Sequence, residues 1–463
     1  MTAHTADTAE LSRPADQPAR LPPAFRRQWT ATAVSNLGDG INAAALPLLA
    51  LSLTKDDRLI AGVAFASFVP WLVLSLPAGV IVDRYNRQTL MVTTNVIRTL
   101  LMAGLAVTAA SHTLSIWLLY ALILGVGICE VIFDSSAQAF LPAIVDAEML
   151  PKANGRLYSA ETITNYFLGQ PVGAFLFAIA IGIPFALDAG SFLVAALFVA
   201  SIAVKPGRLP PSKRGQATSF RADIAQSMRT LFGHQLLRSL ALLAGVFSLA
   251  SMFGIAILVK FATKTLGVSE RWYGALLALT ALGGVLGGLL GDRMVRKLGR
   301  SVALRLSYIT LGVTAIGVGL APNFWVVAAI SLVDALAVTV WNIVTVSLRQ
   351  QIIPTDQFGR VNSVYRWIGT GSTAIGALIG GQLAYTFGLR APFVIGGVVI
   401  LTSSSPSPAA AGRLSRRRDC RSRRNHHRRH RCEQRRPLPV RRPGTAHPQI
   451  RSIQRCADRS CQS

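Results

Sequence analysis

Charge is what this chain has least of. Only 15% of its 463 residues are Asp, Glu, Lys or Arg, against roughly 25% in soluble globular proteins. Hydrophobic residues make up 51%, and the mean hydropathy is +0.44, a balance that excludes an ordinary water-soluble enzyme. Cysteine is almost missing from the first 403 residues, where only Cys129 occurs, so no disulfide framework is possible there. The first 28 residues are polar and proline-rich and lack the apolar core of a cleaved signal peptide. No Gly-Lys-Ser/Thr phosphate loop, paired CxxC, HExxH or GxSxG stands out, and the cluster Gly283-Gly284-Val-Leu-Gly287-Gly288 is apolar throughout. ATP-driven and hydrolytic chemistry therefore have no residues to run on. No catalytic centre, metal site or cofactor is expected.

What the chain has in abundance is apolar runs. Twelve stretches of roughly membrane-spanning length lie near 30–53, 59–82, 89–110, 113–137, 158–181, 183–204, 237–260, 272–291, 302–321, 324–347, 361–386 and 390–403. Twelve in succession leave no polar faces for a soluble shell, so the fold class expected is an all-α membrane protein. With both termini and every even-numbered connection placed in the cytoplasm, 23 basic residues fall on that side. Six lie opposite: Lys55, Arg58, Lys260, Lys264, Arg271 and Arg390. This is the asymmetry of the positive-inside rule, and it places the chain as a multi-pass protein of the cell membrane. The domain reading is a cytoplasmic arm (1–28), a six-helix bundle (29–204), a polar cytoplasmic linker (205–236), a second six-helix bundle (237–403) and a tail (404–463).

That tail is a different composition. It carries 17 Arg, no Lys and three acids, together with Cys420, Cys432, Cys456 and Cys461. The cysteine spacing does not fit a zinc site, and no aromatic residue follows Phe393 to stack on a base. No nucleic-acid partner is expected. The repeat described next calls for a twelfth span from Phe393 to about residue 412, yet the apolar run breaks at Thr402-Ser-Ser-Ser-Pro-Ser-Pro408. A disordered tail created by a reading-frame shift, with a truncated last helix, is the expectation.

The two halves echo each other. Gly79, Asp83, Arg84 and Arg87 recur 209 residues later as Gly288, Asp292, Arg293 and Arg296. At an offset of 208, Asn154 matches Asn362, Gly173 matches Gly381, Pro184 matches Pro392 and Phe185 matches Phe393. Six spans per repeat give both halves one orientation, the parallel-repeat plan with a substrate path between two bundles. The Gly79-x-x-x-Asp83-Arg84-x-x-Arg87 loop and its echo resemble the signature of the major facilitator superfamily. The opening Ser35-Asn-Leu-Gly-Asp-Gly-Ile-Asn42 and Ala45-Leu-Pro-Leu-Leu-Ala50 resemble its bacterial drug- and siderophore-exporter branch. Gly169-Gln-Pro171-Val-Gly173 resembles the Gly-Pro signature of exporters, in which proline kinks a helix and glycines permit close packing. One departure is that Gly125, Gly127 and Glu130 stand where many proton-driven exporters carry an arginine.

The resemblance implies twelve helices in two pseudo-symmetric bundles. It also implies that the two loop signatures latch the bundles together and release during alternating access. Charges inside spans are costly and point to function: Asp39, Arg98, Glu130 and Asp134 in the first half, and Asp334 in the second. Two readings of Arg98 stay open. It partners whichever carboxylate is ionised, or it forms a fixed pair with Asp39 or Glu130 that only sets packing. The N-terminal bundle is expected to couple ions and the C-terminal bundle to shape the cavity, with Tyr166, Trp341, Asn342 and Tyr365 as cavity positions. Function is read as proton-coupled efflux of small amphipathic compounds by a monomer in the lipid bilayer. Alternatives are a siderophore or metabolite exporter, a proton-coupled importer, a non-transporting membrane protein, or an inactive frame-shifted product.

Overall fold

A computed structural model of the chain describes residues 21–146, 149–203, 220–353 and 355–404. Among them every regular element is helical. The first half comprises α1 (Pro23–Leu53), α2 (Asp57–Arg84), α3 (Arg87–Ala110) and α4 (Ile116–Ile144). Its fifth span is continuous but composite: α5 (Leu150–Glu161), a π-helical stretch (Thr162–Gly169) and α6 (Gln170–Ile179). α7 (Ile183–Ala200) completes the half. The second half holds α9 (Gln235–Ile255), α10 (Leu258–Lys260) with a π-helical turn (Phe261–Thr265), α11 (Glu270–Leu298), α12 (Arg300–Leu320), α13 (Phe324–Ile352), α14 (Thr355–Phe387) and α15 (Ala391–Ser403).

Among the described residues, eight helical stretches are long and apolar enough to cross a membrane, and α15 is a shorter apolar helix. The other three expected spans, α1, the fifth span and α14, are helical as well. Several helices outrun their expected spans. α4 continues to Ile144 through the apolar Ala139–Ile144, and the fifth span starts at Leu150, where backbone hydrogen bonding extends the helix ahead of its apolar run. The expected linker also contains a helix, α8 (Phe220–Gly233), whose Met228, Leu231 and Phe232 pack with Leu237, Val361 and Val364. Side-chain caps set several starts: Asn86 accepts from the Thr89 amide, Ser115 from Leu118 and Asn323 from Val326, satisfying amides that a helix start leaves unpaired.

The halves are built alike. α1 packs on α7 as α9 packs on α15; α3 packs on α7 and α4 as α12 packs on α15 and α13; α2 packs on α4 as α11 packs on α13. Two seams join the halves, α2 with α14 and α11 with α6, and the sequence repeat maps each seam onto the other. α15 is the exception to this symmetry. It has 13 residues against 18 in α7, or roughly 20 Å at 1.5 Å per residue against a bilayer core of about 30 Å. Residues 405–463, where a frame-shifted tail is expected, lie outside the described residues.

Candidate functional site

The bundle has two ends. One carries the start of α1, the α2–α3 turn and the end of α7, where Gln88 Nε2 donates to the Val199 carbonyl at 2.9 Å. This is the terminal end. The other, the far end, carries the α1–α2 and α14–α15 turns. At the far end the halves are tied together. Lys260 Nζ lies 2.7 Å from Asp57 Oδ1 and donates to the Lys55 carbonyl at 2.5 Å. The Arg58 guanidinium lies 4.1 Å from the Tyr385 ring centroid. A Cβ at Gly381 would meet the Ala61 Cβ at 2.6 Å. Beside this closure Asp56 caps α2, and its hydrogen bonds from Arg58, the largest cause, hold its carboxyl below the usual range.

At the terminal end the described members of the loop signatures make no such ties. Arg84, Asp292, Arg293 and Arg296 are exposed, and Arg87 Nη1 donates to the Ala139 carbonyl within its own half at 3.0 Å. Gly79 and Gly288 have nothing within 4 Å of a notional Cβ. No described residue closes on these glycines, and the halves are held together at the opposite end. The Asp83 side chain lies outside the described residues.

Between the ends is a cluster of charge. Arg98 of α3 is buried, and its Nη2 donates to Asp39 Oδ1 of α1 at 2.6 Å. Its guanidinium lies 3.8 Å from the centroid of Phe192 on α7. Glu130 and Asp134, one turn apart on α4, are within electrostatic reach of Arg98, as is Asp188 of α7. The chain of charges continues from Asp134 to Glu161 and to Arg366 of α14 in the other half. There a cleft of about 520 Å3, its open mouth included, is lined by Trp71, Ser75, Asp134, Gln138, Arg366 and Trp367. Trp367 Nε1 donates to the Leu72 carbonyl at 2.8 Å, fixing α14 against α2. Asp334 stands apart from the cluster, accepting from Thr314 of α12 at 2.5 Å. Asp188 and Glu161 are not among the sequence candidates, although a lone acid inside an apolar run is the signal that marks Asp39.

Two of the expected cavity aromatics are core residues instead. The Trp341 ring packs on Tyr308 with centroids 4.9 Å apart, and Tyr365 lies under the Arg349 guanidinium at 3.9 Å. Tyr166 and Asn342 are exposed. An aromatic residue in a span reads the same from sequence whether it packs or lines a cavity.

The Gly169-Gln-Pro171-Val-Gly173 motif sits where α1 and the fifth span touch backbone to backbone. A Cβ at Gly169 would come 2.8 Å from Gly40 Cα, and one at Gly173 would come 2.2 Å from the Ile41 carbonyl oxygen. Pro171 has no amide, and the preceding stretch is π-helical, with the Gln170 amide reaching back five residues to the Asn165 carbonyl. Irregular turns of this kind re-pair what a proline frees. Gly173→Ala is expected to cost about 1–3 kcal/mol through overpacking, whereas Gly79→Ala, facing open space, leaves the thermal midpoint in detergent unchanged. Equal midpoints for the two variants would contradict the packing seen here.

Two repeated halves, helical throughout the described residues and closed at one end over a charged cleft, together with the family match given next, make this chain a secondary transporter of the major facilitator class, not an enzyme. More narrowly, the chain belongs to the family described as transmembrane secretion effectors, which it matches over residues 18–429. It is 22% identical over 385 residues to macrolide efflux protein A of Streptococcus pyogenes, covering 81% of this chain and 93% of that one. It is 26% identical over 386 residues to the multidrug efflux pump Tap of Mycolicibacterium fortuitum, covering 79% and 90%. Among solved structures, the nucleoside transporter NupG superposes with a TM-score of 0.63 at 12% identity, covering 83% of this chain and 98% of that one. A bacterial homologue of the human lysosomal transporter Spinster gives 0.64 at 14%, covering 82% and 94%. These likenesses confirm the fold.

Proposed function

We propose that this transporter exports small amphipathic compounds, drugs among them, in exchange for protons by alternating access. The observation that carries the reading is the asymmetry of the two ends over one cluster. The Asp57–Lys260 tie closes the far end, while the described members of the loop signatures at the terminal end make no tie to the other half. The excess of basic residues at the terminal end puts it in the cytoplasm, so this conformation is open to the inside and ready to load substrate. The names of the efflux relatives support the direction of transport.

The cluster supports proton coupling through charge balance. Among the described residues, the buried or half-buried acids Asp39, Glu130, Asp134 and Asp188 share one buried cation, Arg98, with the exposed Arg366 reaching Asp134 from the other half. A site of low dielectric does not hold that excess of negative charge without protons or a cationic substrate, and exchange of one for the other is antiport. On export the far end opens, and Arg84 and Arg87 with Arg293 and Arg296 close the terminal end, Gly79 and Gly288 admitting the opposing helix. Cells expressing the chain are expected to extrude a fluorescent cationic dye in a manner abolished by an uncoupler. Efflux that persists with the proton gradient collapsed would exclude proton coupling.

A further inference from the structure

α7 presents Asp188, Ser191 and Phe192 to the place where α1 and α3 meet. Asp188 is fully buried, 0% exposed. Its Oδ1 accepts a hydrogen bond from Ser191 Oγ at 3.3 Å, and its Oδ2 has no hydrogen-bond partner among the described residues. On the facing helix, a Cβ at Gly38 would come 2.4 Å from Asp188 Oδ1, so a glycine there makes room for this carboxylate beside Asp39. Phe192, one turn beyond Asp188, is the ring under the Arg98 guanidinium. Arg98 Nε and both polar side-chain atoms of Asn95, one turn earlier on α3, also lack partners.

Buried polar atoms are nearly always paired, and each exception calls for a reason. Four of the eight such atoms among the described residues gather around one guanidinium, which bonds Asp39 and has Glu130, Asp188 and Asp134 within electrostatic reach. Asp188 is the one of those three acids with a buried oxygen lacking a partner, and the set has a second arrangement, in which the cation bonds to it. We propose that Asp188 is the second carboxylate of the coupling site, and that Arg98 alternates between Asp39 and Asp188 while one proton resides on whichever acid it leaves.

This rests on the proton-coupled reading above. In the present arrangement Arg98 holds the Asp39 carboxylate and the proton sits on Asp188. When Arg98 crosses to α7, the Asp188 O–H bond breaks, the proton passes to an Asp39 oxygen, and Asp188 becomes the paired carboxylate. One cation, one carboxylate and one neutral acid exist before and after. The two arrangements differ in access: the Asp39 side chain is 22% exposed, whereas Asp188 is sealed. The proton meets the cavity only when it is on Asp39. Of the other groups near α7, Glu130 of α4 is within electrostatic reach of Asp188 as well. Arg27 of α1 bonds the Ser201 carbonyl at the end of α7, Arg87 of α3 bonds Ala139, and α6 carries no titratable residue. On α4, Glu130 and Asp134 lie within reach of Arg98 and set its electrostatic background.

The test reads the proton directly. Infrared difference spectra of the full-length protein in liposomes report the C=O stretch of protonated carboxyls. Asp188→Asn is expected to remove one band from the wild-type spectrum. Asp39→Asn is expected to remove the same band, because Arg98 then moves to Asp188 and ionises it. A purely structural, permanently neutral Asp188 would keep its band in Asp39→Asn, and that result overturns the proposal. So does an Asp188→Asn spectrum identical to wild type. In the same liposomes, ethidium flux driven by a pH gradient should fall at least about tenfold in Asp188→Asn. A wild type whose ethidium flux ignores the gradient overturns the proton-coupled reading and the coupling role with it. The spectra still separate a shared proton from a fixed one, so the two failures are distinct.

Discussion

Asp39→Asn is expected to leave an inserted, folded protein that no longer moves dye uphill against its gradient, with proton-driven flux reduced at least about tenfold, equivalent to ~1.4 kcal/mol of coupling. The argument begins with Arg98. Its side chain is 1% exposed, and removing one partner of a buried ion pair typically costs about 3–5 kcal/mol, because the other charge is stranded. Here that cost is softened for one partner only. When the Asp39 carboxylate is lost, Asp188, Glu130 and Asp134 remain within electrostatic reach of the guanidinium, so Arg98 is never without a counter-charge. When Arg98 is lost, the acids around it keep only Arg366, which stands by Asp134 and Glu161, and the packing on Phe192 goes as well. Arg98→Ala is therefore the more destabilising of the two, by about 3–5 kcal/mol relative to wild type. Thermal midpoints of the purified variants in one detergent check the order, and flux in liposomes under an imposed pH gradient checks the coupling. An Asp39→Asn protein with wild-type gradient-driven flux would remove Asp39 from the mechanism.

Much of this protein is legible in its sequence, for a physical reason. A helix in lipid must satisfy its own backbone, so a long apolar run has one available structure, and twelve such runs with a repeated loop signature define the class. What hydropathy does not report is where helices start. The fifth span begins at Leu150, in a segment with too many polar residues to register as apolar. Nor does it report pairing. Asp39 and Arg98 both stand out as charges in spans, but that they bond each other at 2.6 Å, rather than Arg98 bonding Glu130, is a fact of how α1 and α3 share α7. Asp188 is a different case. Its signal was available in the run 183–204, and only the structure reveals its place against Gly38. The twelfth helix is legible in the opposite sense, since a break in the expected repeat at Thr402 coincides with the end of α15 at Ser403.

The second large effect concerns the far end, where no motif draws the eye because Asp57 and Lys260 lie 203 residues apart in sequence. Reversing one charge with Lys260→Asp is expected to open this end, and the double exchange Asp57→Lys with Lys260→Asp to close it again. The side chains are 13% and 14% exposed, neither dry nor fully solvated. Two unit charges at 4 Å in a medium of effective dielectric about 20 interact by roughly 4 kcal/mol, so turning attraction into repulsion changes the balance between closed and open forms by several kcal/mol. About 5.5 kcal/mol moves a two-state equilibrium from 1:99 to 99:1, so this single substitution approaches a full switch. The Arg58–Tyr385 contact remains, which keeps the effect below that limit. Ala61 offers the readout, since it is buried against Gly381 across the seam. In a chain with its five native cysteines replaced, a cysteine at position 61 should react with a membrane-impermeant thiol reagent at least about tenfold faster in Lys260→Asp. In the exchanged pair the rate should return toward the parent value. The exchange is the discriminating step: a lysine that merely packs would leave the double variant as reactive as the single one. Recovery requires that opposite charge across the two halves, and not either side chain by itself, holds this end shut while the other end stands open.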